Sequence, residues 1–145
     1  MENGYCQTAL EIASEYGHTE VVKELLERGA DVLEGEALDA AAVFGHIAVV
    51  KEFLTHGADV DVRANAGGRT ALMWAAINGH VEIVKVLLGS GANIDLQDMN
   101  GRTALMYASE TGYEEVIGLL KNAENKTDLQ NKNKRGCREK SDPCF

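Results

Sequence analysis

The chain has 145 residues, with 14 Lys and Arg against 23 Asp and Glu, three Cys and a single Pro. An apolar content of 45% suits a folded protein, and no run approaches the roughly 18 apolar residues that a membrane span needs. Residues 1–120 carry 7 basic and 19 acidic side chains (−12) and residues 121–145 carry 7 and 4 (+3), so the acidic body repels phosphates and no nucleic-acid partner is expected.

Met1-Glu2-Asn3-Gly4-Tyr5-Cys6-Gln7 has neither the basic start nor the apolar stretch of a secretory signal. Cys6 lies far from Cys137 and Cys144, and three cysteines leave one over. A reducing, cytoplasmic setting without a disulfide scaffold is therefore expected.

In chain order, one frame recurs four times. Gly17-His18, Gly45-His46, Gly79-His80 and Gly112-Tyr113 are spaced by 28, 34 and 33 residues. Leu10 and Ala13, Leu38 and Ala41, Leu72 and Ala75, Leu105 and Ala108 precede them. Val21-Val22 and Leu25, Val49-Val50 and Phe53, Ile83-Val84 and Leu87, Val116-Ile117 and Leu120 follow. The first three units close on Gly29-Ala30-Asp31, Gly57-Ala58-Asp59 and Gly91-Ala92-Asn93.

The third unit shows what the frame encodes. Thr70 can cap a helix through its hydroxyl, and Leu72, Ala75 and Ala76 share one helical face. Gly79 stops that helix. A second helix runs from about Val81 to Ser90 with Ile83, Val84, Leu87 and Leu88 inward. Small alanines let first helices approach closely, and branched side chains fill the layer behind. One such pair buries too little alone, so the four units stack into a solenoid with one continuous core.

The period and the string from Gly68-Arg69-Thr70-Ala71-Leu72-Met73 to Val86-Leu87-Leu88 resemble the ankyrin repeat family over residues 3–122. The resemblance implies an all-α ankyrin solenoid of helix-turn-helix units with short β-hairpin fingers. It also implies a concave face of first helices and finger tips that binds other proteins. The units are expected at about 3–31, 32–64, 65–97 and 98–122.

Departures from the family pattern carry information. Where the family favours Thr-Pro-Leu-His, this chain has Thr8-Ala9-Leu10-Glu11, Glu36-Ala37-Leu38-Asp39, Thr70-Ala71-Leu72-Met73 and Thr103-Ala104-Leu105-Met106. Loss of the histidine predicts loss of its hydrogen bonds to neighbouring loops. The second unit is five or six residues short between Asp31 and Ala37, which predicts a notch in the binding edge, and Glu36 replaces the capping threonine. Gly118 and Lys121 weaken the last helix. Residues 123–145 are predicted to be a polar, mostly disordered tail, in which Asp128-Leu129 and Gly136 repeat the start of a fifth finger.

No catalytic, metal or cofactor site is expected. His18, His46 and His80 fall one unit apart, about 10 Å in a helix stack, too far to share a metal ion. Cys137 and Cys144 have no histidine near them, and Gly67-Gly68 lacks the Lys-Ser or Lys-Thr of a phosphate loop. Columns that vary between units are free to specialise. By family geometry the groove positions are Glu15, Tyr16, Val43, Phe44, Ile77, Asn78, Glu110 and Thr111, with Tyr5, Gln7, Arg69, Met99, Asn100 and Arg102 from the fingers. Tyr16, Phe44 and Ile77 are expected to form an apolar stripe rimmed by Glu15, Glu110, Arg69 and Arg102, while Trp74 is expected to pack inward. The expected function is a monomeric, non-enzymatic protein-binding module. The alternative is a regulatory segment of a larger multidomain protein or host-directed effector whose catalytic part lies elsewhere.

Overall fold

The computed structural model describes residues 8–32, 35–63 and 65–126. They form α1 (Ala9–Glu15), α2 (Thr19–Glu27), α3 (Gly35–Phe44), α4 (Ile47–Thr55), α5 (Ala71–Asn78), α6 (Val81–Gly89) and α7 (Ala104–Thr111), with a further helix, α8, over 114–126. α8 thus continues four residues into the segment expected as tail. The remainder of that tail, with Cys137 and Cys144, lies outside the described residues, as do Tyr5, Cys6 and Gln7.

Three of the first helices start as the threonines dictate. Thr8, Thr70 and Thr103 are extended, and each Oγ1 accepts a hydrogen bond from the backbone N–H three residues on, at Glu11, Met73 and Met106. Glu11 returns a bond to the Thr8 N–H, completing a capping box. α3 differs because it begins at Gly35. Glu36 therefore stands inside the first turn, where its charge favours the helix N-terminus, rather than in the capping position.

Two layers follow from side-chain size. α1, α3, α5 and α7 lie side by side, α2, α4 and α6 form a second row, and α1, α3 and α5 each pack on the second helix of their own unit. Ala13, Ala41, Ala42, Ala75, Ala76 and Ala108 are buried in the first row, while Val22, Leu26, Val49, Val50, Phe53, Ile83, Val84 and Leu87 fill the space behind. All belong to one core that runs the length of the array. Truncating its largest fully buried side chain, Phe53, would cost about 3–5 kcal/mol.

The units are also stitched at their turns. Gly79 ends α5 in the left-handed conformation, φ 70°. The ring of Tyr113 lies so close that a Cβ on Gly79 would approach it to 2.7 Å. His80 rests in the same way on Gly45, and His46 on Gly17. Each histidine also crosses to the unit before it: His46 Nε2 lies 2.8 Å from the Glu15 carbonyl oxygen, and His80 Nε2 lies 2.9 Å from that of Val43.

Between units the chain runs through turns, and no β-strand is assigned among the described residues. The fingers are held instead by side-chain and isolated backbone bonds. Asp59 Oδ1 accepts from Asp61 N and Asn93 Oδ1 from Asp95 N, so the same Asx turn recurs. Neighbouring fingers are tied by Asn93 N to Asp61 Oδ1, Arg63 Nη1 to the Gln97 carbonyl and Met99 N to the Gly67 carbonyl, each at 2.9 Å.

Candidate partner-binding face

The helix ends put the expected groove residues on one row, because α1, α3, α5 and α7 are adjacent and in register. Glu15 and Tyr16 stand at the end of α1, Val43 and Phe44 at the end of α3, Ile77 and Asn78 at the end of α5, and Glu110 and Thr111 at the end of α7. Tyr16 is 66% and Phe44 53% exposed, unusual for aromatic side chains of a packed array. The Tyr16 ring stacks on His18, with centroids 6.3 Å apart. Ile77 is half-buried and packs against the core. Asn78 and Thr111 turn back on their own helices, donating to the carbonyls of Trp74 and Tyr107. On the fourth finger Met99 and Asn100 are exposed.

Arg69 and Arg102 are engaged within the fold. The Arg69 guanidinium stands 4.9 Å from the Trp74 ring centroid and 5.4 Å from that of Tyr107, and Arg102 lies 5.0 Å from Tyr107 on a further contact. Arg102 pairs with Glu110. The Tyr107 hydroxyl donates a short hydrogen bond to Asp98 Oδ2 and receives one from Arg69 Nε at 3.2 Å. Asp98 Oδ1 accepts from the N–H groups of Asn100 and Arg102. Burial alone would raise the pKa of Asp98. The Tyr107 hydroxyl, those two N–H groups and the Arg69 charge together outweigh it and hold the carboxyl below its usual range. These arginines thus cement the third and fourth units.

A cavity of about 450 Å³ opens between α1, α3 and α5. Glu11, Glu36, Asp39, Val43, Asn65 and Trp74 line it. Asn65, from the third finger, donates to Asp39 Oδ2 at 2.7 Å and to the Arg69 carbonyl at 2.7 Å, and its Oδ1 accepts from Arg69 N. Asp39 occupies the column of the family's histidine. The expected loss of bonds from that column to neighbouring loops is therefore corrected at this unit: the aspartate takes a hydrogen bond from the next finger. Trp74 packs against the core, as expected, and also walls the cavity. Asp39 is nearly buried, and neither its Oδ1 nor Trp74 Nε1 completes a hydrogen bond. The indole lies close enough all the same to affect the carboxyl. Burial pushes the Asp39 pKa up to about 7, the Asn65 hydrogen bond and the nearby Trp74 N–H dipole oppose this, and the Glu36 charge adds to the rise.

Sequence reasoning missed Asp39, Asn65 and Asp98. The signal for Asp39 was present: a carboxylate in a column that the helical period turns inward. For Asn65 and Asp98 no periodic signal exists, because fingers have no regular inside.

The stacked helix pairs and their turn stitches define a helical repeat array. The family description "Ankyrin repeats (3 copies)" matches residues 38–133, and "Ankyrin repeat" matches residues 5–34. The chain belongs to the ankyrin repeat family, whose members are generally protein–protein interaction modules. No curated protein matches the chain. Among the described residues no helix is long and apolar enough to cross a membrane.

Proposed function

We propose that this chain is a cytoplasmic, monomeric and non-catalytic module that binds a partner protein through the exposed ends of its first helices and its finger tips. The observation that carries this reading is the pair Tyr16 and Phe44. Two aromatic rings at equivalent positions of adjacent helices stay more than half exposed, although the fold buries comparable side chains elsewhere. Aromatic side chains at the centre of a rigid surface are common binding hot spots. A preformed array also loses little conformational freedom on association. Glu15, Ile77, Asn78, Met99, Asn100, Arg102, Glu110 and Arg69 supply the surround, and Tyr5 and Gln7 extend it in sequence.

The test is affinity capture from a cell extract with wild type and a Tyr16→Ala/Phe44→Ala double variant, leaving Ile77 intact because it packs on the core. The double variant should lose the wild-type partners while melting at the same temperature. Capture of the same partners by both proteins overturns the reading.

A further inference from the structure

The cavity between α1, α3 and the third finger holds a carboxyl, and the described residues lining the cavity with it include no opposite charge. Asp39 is only 6% exposed. Asn65 satisfies Oδ2 with a neutral donor, and Oδ1 completes no hydrogen bond among the described residues. The charged groups lining the cavity with it are Glu11 from α1 and Glu36 from its own helix, both negative. Trp74 and Asn65 from the third unit are neutral, and Arg69, across Trp74, is bonded to Tyr107 and paired with Asp98. Among the described residues that line the cavity, none carries a positive charge to face Asp39.

We infer that the cavity takes a cationic side chain, a lysine ammonium or an arginine guanidinium, presented by a partner polypeptide lying on the first-helix face. The inference rests on the partner-binding reading above and adds the chemistry of one contact. About 450 Å³ is room for a long side chain rather than a bare ion, and the described residues include no group of three ligands able to hold a metal. Val43 and Trp74 give the aliphatic stem an apolar wall, and an indole is the preferred aromatic neighbour of a cation. The acidic body draws a basic segment toward this face. Binding is coupled to pH, because the cation requires Asp39 ionised while burial and the flanking Glu36 favour its neutral form.

Trp74 is the single tryptophan of the chain, so its indole N–H gives one unambiguous NMR signal. The probes are n-butylammonium and n-butylguanidinium, with n-butanol as the neutral control, all at fixed ionic strength. At pH 8 at least one cation should shift the indole signal saturably, and butanol should not. The stronger of the two cations identifies the side chain. Its affinity should fall about tenfold at pH 6, as the ionised fraction of Asp39 falls. Asp39→Asn should abolish the response. Should that variant fail to fold, Glu36→Gln, at an exposed position, should weaken binding severalfold. An equal response to butanol, or a wild-type response in a folded Asp39→Asn protein, overturns the inference without touching the partner-binding reading. That reading fails separately, if the Tyr16→Ala/Phe44→Ala variant captures the wild-type partners. A saturable, Asp39-dependent shift then still establishes the cation site.

Discussion

His80 of the third unit reaches back to Val43 of the second: its Nε2 lies 2.9 Å from the Val43 carbonyl oxygen while its ring covers Gly45. One side chain thereby supplies both a hydrogen bond and a packing surface across the junction. His80→Ala removes both and should destabilise the protein by about 1–3 kcal/mol. The measurement is the denaturation midpoint in urea. A change below about 0.5 kcal/mol would show that the junction holds without this contact.

Gly79→Ala tests the equivalent seat beneath Tyr113. The left-handed backbone alone costs about 1 kcal/mol, and the new methyl would also stand 2.7 Å from the ring. Gly57→Ala is the control, because its φ of 87° is equally positive and nothing lies within 4 Å of the added carbon. Gly79→Ala should therefore lower the melting temperature more than Gly57→Ala. Adding Tyr113→Ala should recover part of the difference.

Tyr107→Phe deletes the hydroxyl that joins Arg69 to buried Asp98. The aspartate keeps its two backbone donors but loses its partner on Oδ2, apart from Arg69. A loss of about 1–3 kcal/mol is expected. The loss should be confined to stability, leaving the far-ultraviolet circular dichroism of the folded state unchanged.

Asp39 and Asp98 make opposite contributions to the pH dependence of stability. The native pKa of Asp39 is pushed up to about 7 from the ordinary 3.8. The folded state therefore holds this proton more tightly than the unfolded one. Its stabilising contribution is full below about pH 4 and is lost as pH rises through 7. Asp39→Asn should remove that slope and make the protein more stable than wild type at pH 8, by at most a few kcal/mol. Asp98, held below its usual range, contributes stability that is present above the ordinary carboxylate range and is lost as pH falls. Urea denaturation of both proteins at pH 4, 6 and 8 checks the signs.

Phe44→Ala should leave the melting temperature within about 3 °C, since surface substitutions usually change stability by less than about 0.5 kcal/mol and this ring is 53% exposed. Partner capture should nevertheless weaken. A marked drop in stability would assign Phe44 to packing.

The repeated frame made most of the fold legible. Leu10, Leu38, Leu72 and their alanine neighbours fall on helical faces, and the threonines before them mark helix starts. Gly79 and its equivalents mark stops, so element order and core follow from local periodicity. The recurring Gly-His pairs show in sequence only that the histidines follow helix stops. Their cross-unit bonds were hidden because the acceptors, the carbonyls of Glu15 and Val43, carry no side-chain signal. The resemblance led to an expectation of hairpin fingers, whereas the described fingers use Asx turns and side-chain ties. At the candidate face, Tyr16 and Phe44 stand in variable columns and are exposed. Arg69 and Arg102 are harder to place: an arginine reads as surface in any sequence, and it is the rings of Trp74 and Tyr107 in successive units that hold Arg69, and Tyr107 that holds Arg102.

The carbonyls that His46 and His80 engage belong to the last turns of α1 and α3, where no intrahelical donor remains. Each of these units is thus finished by the one that follows it. The imidazole works as a C-terminal cap supplied in trans, from 31 residues further on at Glu15 and from 37 at Val43. Order consequently passes backward along the chain, and amide exchange at the ends of α1 and α3 reports on the integrity of their successors.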